Sequence, residues 1–301
     1  MEDLEKWVAA GDIAREVLGK ALDLVREGVR LLQLAEELES YIRRMGAQPA
    51  FPVNISVNEV AAHYSPSVND EAVIPPGAVV KVDVGVHVDG YIADTALTIA
   101  LSPRHAALVD AAQHALREAL SALKAGARLS EIGSAVERAV KARGFKPISN
   151  LSGHSMSRYV LHSGKSVPNV HTGARERVRV GEVYAVEPFV TEGAGYVVET
   201  DYGAIYRVLS VRSTGIRELD SLLRDLWRKY RGLPFSERWV YREMGEEGLK
   251  GLRRLVSIRR VYLYPVLVEA GRGAVAQFED TVVVTRRGIV NTTRVLELCR
   301  R

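Results

Sequence analysis

The sequence predicts an α+β protein in which a helical segment interrupts a discontinuous α/β domain. Three observations lead there. Apolar residues recur at helical spacing through residues 1–46, short β-branched runs fill 51–101 and 151–210, and a new helical stripe covers 213–262 before strands return.

The chain has 301 residues, 47% apolar and 26% charged, a globular balance that excludes a disordered or fibrous protein. No apolar run approaches the roughly 20 residues that a membrane span needs. Met1-Glu2-Asp3 opens an acidic, amphipathic segment unlike a secretory signal. The one cysteine, Cys299, permits neither an internal disulfide nor a thiolate metal cluster. The expectation is a cytoplasmic protein without membrane attachment. A net charge of +4 is too mild to imply a specific DNA partner. No extended heptad calls for a second chain, so a monomer is expected.

Leu4, Trp7, Val8, Val17, Leu18, Leu22 and Val25 mark a first helix, and Gly28 interrupts it. Leu31, Leu34, Ala35, Leu38 and Ile42 mark a second, closed by Arg43-Arg44 and Gly46. Strands are expected at Val79–Val86 and Tyr91–Ile99, joined by Asp89-Gly90, two residues that tolerate positive φ. Helices follow from His105 to Lys124 and from Leu129 to Arg143, the latter with Ser130 as the expected N-cap. Ile216, Leu219, Leu223, Leu226, Trp227 and Tyr230 form the stripe of the inserted helical segment, with a further helix around Leu249–Val256. Strands resume at Tyr262–Val268 and Ala274–Thr285.

The chemistry concentrates where carboxylates enter apolar strands. Asp83 lies in a valine run and Asp94 in an apolar strand, although strands disfavour Asp and an unpaired buried carboxylate is costly. A two-residue turn at 89–90 sets Gly85 opposite Asp94 and Asp83 opposite Ala96. Both carboxylates then share a face as diagonal neighbours, roughly 7–8 Å apart, with Gly85 and Ala96 leaving room for something small. The hairpin alone leaves two readings open: a divalent metal site, or a polar strand face carrying Lys81, Asp83 and Asp94. Three further interruptions favour metal. His154 follows Gly153 after a polar turn, Glu187 ends an apolar strand before Pro188, and Glu279 enters the run from Ala274 to Val284. Four carboxylates and an imidazole suit Mn, Fe(II), Co or Zn.

These residues resemble the methionine aminopeptidases of the pita-bread (creatinase/aminopeptidase) fold, in the type II, archaeal form. The resemblance rests on Ala50–Glu59, Ala61-Ala62-His63-Tyr64-Ser65-Pro66, Lys81–Gly85, Gly90–Asp94, Gly153-His154-Ser155, His162, Glu187-Pro188, Tyr264-Pro265 and Gln277-Phe278-Glu279, and spans nearly the whole chain. It implies a discontinuous pita-bread catalytic domain, built of pseudo-twofold halves, over 1–212 and 263–301, with 213–262 as the helical insertion subdomain typical of type II. It implies two divalent metal ions held by Asp83, Asp94, His154, Glu187 and Glu279, with Asp94 and Glu279 bridging. His63 and His162 match substrate-contacting histidines that donate hydrogen bonds to the scissile peptide. Phe51, Leu161 and Tyr264 match the methionine pocket. The implied reaction removes the N-terminal methionine of nascent proteins, preferring a small second residue, through a hydroxide bridging two metals, with Glu187 moving its proton.

Asp280, beside Glu279, departs from the family pattern and is expected to alter metal preference. The insertion carries 12 Lys/Arg against 7 Asp/Glu, so it is +5 and the remainder −1. Arg253-Arg254 and Arg259-Arg260 offer a patch for ribosomal RNA that would bring the enzyme transiently near nascent chains; a solvated helix face is the competing reading. Two other functions fit less well. A pita-bread peptidase cutting Xaa-Pro bonds usually carries a further N-terminal domain, and a non-catalytic relative that binds RNA or protein lacks metal ligands that are all present here.

Overall fold

A computed structural model describes residues 2–300. Helices α1 (Glu2–Leu24) and α2 (Leu31–Arg44) are separated at Gly28, whose φ of +78° favours a residue without Cβ. The expected apolar stripe of α2 is buried: Leu31, Leu34, Ala35, Leu38 and Ile42 all face inward, and Glu39 goes with them.

Strands β1 (Asn54–Val57), β2 (Val60–Ala62), β3 (Val79–Val88) and β4 (Tyr91–Ala100) come next. β3 and β4 pair along their whole length about Asp89-Gly90, with φ of 52° and 85°. That double positive φ matches the right-handed twist of the flanking strands. The register sets Asp83 against Ala96 and Gly85 against Asp94, as the turn requires. β1 lies on the other edge of β3, with Asn54 opposite Asp83.

Helices α3 (Ala106–Ala122) and α4 (Leu129–Lys141) cover the sheets. Ser130 is not the N-cap of α4. The helix starts one residue before it, the Arg128 N–H donates to Glu131 Oε2 at 3.1 Å, and Ser130 is buried in the first turn.

The second half contributes β5 (Ser152–Met156), β6 (Ser166–Pro168), β7 (Val183–Val186), β8 (Phe189–Thr191), β9 (Val197–Glu199) and β10 (Ile205–Val208). After α5 (Arg217–Tyr230), β11 (Phe235–Ser236) and α6 (Glu237–Ser257) come β12 (Val261–Tyr264), β13 (Leu267–Glu269), β14 (Val275–Gln277), β15 (Asp280–Thr285) and β16 (Gly288–Asn291). A five-stranded sheet runs in the order β16-β15-β7-β5-β6. An antiparallel bridge between Ala96 and Glu279 joins it to the β3–β4 hairpin.

The main core packs α1–α4 against these sheets through Leu18, Leu34, Leu38, Ile42, Ile55, Leu116, Val186 and Phe278. Each such aliphatic side chain stabilises the fold by about 1.5–3 kcal/mol relative to exposure. A separate cluster joins Leu219, Leu223, Leu226, Trp239, Leu252 and Leu255 of α5 and α6 to Tyr206, Val208 and Val261. This second core therefore takes in the strand pair β10–β12 as its base. α6 is kinked at Gly245, where φ is 59° and ψ −153°.

A buried polar clamp ties the helical segment to α2. Arg238 donates to Glu39 Oε1 at 2.6 Å and to Oε2 at 3.2 Å, and the Trp239 indole donates to Oε2 at 2.7 Å. Glu39 also accepts the Val53 N–H, and Arg238 Nε donates to the Pro66 carbonyl. Among the described residues no helix is long and apolar enough to cross a membrane.

Candidate functional site

The Ala96–Glu279 bridge brings the first half of the chain against the last strands, and the carboxylates meet beneath it. Thr281 fixes the approach. Its hydroxyl donates to the Asp94 carbonyl at 2.7 Å and accepts the Asp94 N–H at 2.8 Å. Ligand atoms of Asp94, His154 and Glu279 lie within 4.8 Å of one another, and all three residues are buried. His154 Nε2 is 3.5 Å from Asp94 Oδ2 and 3.6 Å from Glu187 Oε1. Asp83 lines the same pocket, and its Oδ1 is buried without a partner.

Local structure explains these placements. His154 rides on β5 beside β7, and a Cβ on Gly153 would meet the Ala185 carbonyl oxygen at 2.3 Å, so the close approach of the two strands requires glycine. Pro188 breaks the strand after Val186, leaving Glu187 between β7 and β8 with Gln277 Nε2 donating to its Oε2 at 3.3 Å. Gln277 reaches Glu279 Oε2 at the same distance.

The electrostatics are those of a cation site. Burial, followed by mutual repulsion, raises the proton affinity of Asp83, Glu187 and Glu279 well above the usual carboxylate range. Burial pushes Asp94 up to about 7 and His154 down to about 4, so the imidazole is neutral and able to ligate. Oxygen-rich donors with one neutral imidazole and no thiolate fit a divalent first-row ion.

Beside the cluster the pocket turns apolar, lined by Phe51, Leu161, Ile205, Pro234 and Tyr264. His63 and His162 stand at its mouth. The His162 ring centroid is 4.2 Å from that of His154, and the His63 ring is 5.4 Å from Tyr264. A groove sharing Ala62, His63, His154, His162 and Glu187 continues past Asn150, Leu151 and Ser152.

The family model for metallopeptidase M24 matches residues 5–286. The chain is 45% identical over 295 residues to a methionine aminopeptidase of Pyrococcus abyssi, covering 97% of this chain and 99% of that protein. The chain belongs to metallopeptidase family M24. It is accordingly a metal-dependent aminopeptidase of the hydrolase class. Its fold is the pita-bread fold, shared with the methionine aminopeptidase of Thermotoga maritima at a TM-score of 0.71 and 22% identity, covering 97% and 96% of the two chains. It is also similar to the structure of a thermophilic Arx1, with a TM-score of 0.85 at 20% identity over 97% of this chain and 90% of that one.

Four details of this M24 peptidase differ from the sequence-based expectation. The space over Gly85 is filled by the Phe51 ring, which a Cβ there would meet at 2.2 Å. Asp280 turns away from the carboxylate cluster: it accepts from Asn291 Nδ2, Thr293 Oγ1 and the Val295 N–H, each at 2.7 Å, and so anchors the segment after β16. His63 Nδ1 lies 3.2 Å from the Pro265 carbonyl, which can only accept. The neutral ring therefore presents Nε2 as an acceptor, and burial lowers its pKa further from a doubly protonated, donating form. Arg260 donates to the carbonyls of Arg212 and Ser213, so it braces a loop.

Several pocket residues carried no signal in the sequence. Ile205 and Pro234 are apolar like any core residue. Asn54 is 4% exposed, and its Oδ1 is a buried acceptor without a partner at the pocket wall. Asn in a β-branched strand was the available hint.

Proposed function

We propose that this aminopeptidase removes the N-terminal methionine from nascent proteins and peptides, as a type II enzyme of the archaeal form acting in the cytoplasm as a monomer. The observation that carries the reading is the buried Asp94–His154–Glu279 cluster set directly against an apolar pocket. Methionine suits that pocket because its flexible thioether packs against Phe51, Leu161 and Tyr264.

Asp83, Asp94, His154, Glu187 and Glu279 would hold two divalent ions, Co, Mn, Fe(II) or Zn. Such ions supply Lewis acidity that lowers the pKa of water toward neutrality. The chain's own groups do the rest. Glu187, held at Oε2 by Gln277, would carry a proton to the leaving amine through Oε1, which faces His154 Nε2 at 3.6 Å. His63 Nε2 accepts an N–H of the peptide and so fixes its direction, while His162 donates toward the carbonyl oxygen as charge develops there. A free α-amine, offering its lone pair to an ion held there, would confine cleavage to the chain end. His63, His162 and Glu187 line both the pocket and the groove, so the second residue would pass beside them, which favours a small one.

Residues 213–262 form the insertion subdomain, with 1–212 and 263–301 as the catalytic domain. Arg253, Arg254 and Arg259 are exposed on it and could meet ribosomal RNA near nascent chains. The test is hydrolysis of Met-Ala-Ser by the Mn- or Co-loaded protein, with Ala-Pro peptides as the control. Methionine release that is lost in Glu187→Gln, with fold and metal content kept, is the expected result. Cleavage of Ala-Pro peptides with Met-Ala-Ser untouched would refute the reading.

A further inference from the structure

The sheet formed by β10, β11 and β12 has two faces of different character. Tyr206 and Val208 point into the core of the helical segment. Alternation along a strand sends Ile205 and Arg207 to the opposite side. Ile205 is already in the pocket wall, so Arg207 is the next residue outward on the face that looks across the catalytic mouth. Cross-strand pairing sets Ile205 against Tyr264 and Arg207 against Tyr262. The two tyrosine rings meet edge-on at 4.9 Å, and Tyr262 is 40% exposed. An aromatic ladder thus leads from the pocket to solvent with a guanidinium alongside.

That guanidinium lacks a counter-charge. Arg207 Nε is buried without a hydrogen-bond partner, and no described residue supplies the group with a carboxylate or a carbonyl. Its charge reaches the mouth itself. It opposes the burial that raises the pKa of Tyr264 in the pocket wall. Leaving a buried donor unpaired is unfavourable, which is expected where a ligand completes the bonding.

We propose that Arg207 contacts the substrate downstream of the cleaved bond and takes a carboxylate there. Guanidinium matches carboxylate through paired N–H donors, a geometry that neutral amides do not reproduce. The carboxylate has two sources: an acidic side chain at the second or third residue after the scissile bond, or the terminal carboxylate of a short peptide. The proposal rests on methionine release at this site, and neutral peptides measure that activity separately.

The test compares kcat/KM of the Mn-loaded enzyme on four peptides: Met-Ala-Glu-amide, Met-Ala-Gln-amide, Met-Ala-Ser-amide and Met-Ala-Ser with a free terminus. Wild type, Arg207→Gln and Arg207→Lys are assayed at low and high salt. A charge-assisted pair predicts about a tenfold preference for Glu over Gln, or for the free acid over the amide. Arg207→Gln is expected to erase that preference with rates on the neutral amides kept within about twofold, and Arg207→Lys to retain part of it. An effect in the Glu/Gln pair identifies a side-chain carboxylate, and one confined to the Ser pair identifies the terminus. Ratios that do not change in Arg207→Gln, or an equal loss on charged and neutral peptides, overturn the proposal. No turnover of any peptide by wild type overturns instead the methionine-releasing function on which it rests.

Discussion

Ala96 and Glu279 exchange both backbone hydrogen bonds, Ala96 N–H to the Glu279 carbonyl at 3.4 Å and Glu279 N–H to the Ala96 carbonyl at 3.0 Å. The two residues are 183 positions apart in sequence, yet this bridge and the Thr281–Asp94 hydrogen bonds set Asp94 and Glu279 within reach of a common ion, with His154 brought in by the pairing of β5 and β7. The site is therefore a property of how two sheets dock, and its weak points are the contacts that fix the docking.

Thr281 is the first such contact. Thr281→Val keeps the shape but removes both hydrogen bonds to Asp94, leaving its N–H and carbonyl unpaired in a buried place. The expected cost is about 1–3 kcal/mol of stability. Urea unfolding measures this, and Mn titration of the folded variant should show weaker binding as Asp94 loosens.

Gly85→Ala tests the pocket wall. The added methyl falls on the Phe51 ring, and the adjustment is expected to cost about 1–3 kcal/mol. Because Phe51 lines the pocket, KM for Met-Ala-Ser should rise more than kcat falls. An unchanged KM with lowered stability would place the strain elsewhere.

The Glu39–Arg238 clamp should behave as a buried ion pair. Glu39→Ala leaves the Arg238 guanidinium, only 4% exposed, without its partner, at an expected cost of about 3–5 kcal/mol. The double variant Glu39→Leu with Arg238→Met should recover much of that loss. Denaturant midpoints of the two variants make the comparison.

His87 gives a pH dependence away from the carboxylates. Burial pushes its pKa down to about 4, against about 6.5 when unfolded, and its Nδ1 accepts the Gly90 N–H. The unfolded chain therefore binds one more proton between these values. Its contribution is fully present above pH of about 6.5 and is lost as pH falls toward 4. His87→Asn keeps an acceptor without the titration. The slope of stability against pH should flatten in that window by about one proton, as read from urea midpoints at a series of pH values.

Much of this was legible in the residues. Asp89-Gly90 fixes a two-residue turn, and from it the pairing of Asp83 with Ala96 and Gly85 with Asp94 follows by counting. His154, Glu187 and Glu279 stood out because each interrupts an apolar run. What pattern could not reveal depends on distant parts of the chain. Nothing near Gly85 says that Phe51 covers it, and nothing near Asp280 says that residues 291–295 supply its donors. His63 owes its acceptor role to Pro265, more than two hundred residues on. Arg207 reads as one more surface cation until β10 is placed with Tyr206 and Val208 packed on the far side.

The most direct test of the central claim is anomalous diffraction from crystals soaked in saturating Mn. Two peaks are predicted, both beside Asp94 and Glu279, with Asp83, His154 and Glu187 completing the shells at about 2.0–2.3 Å. Full Mn occupancy elsewhere, or none between these five side chains, would contradict the account.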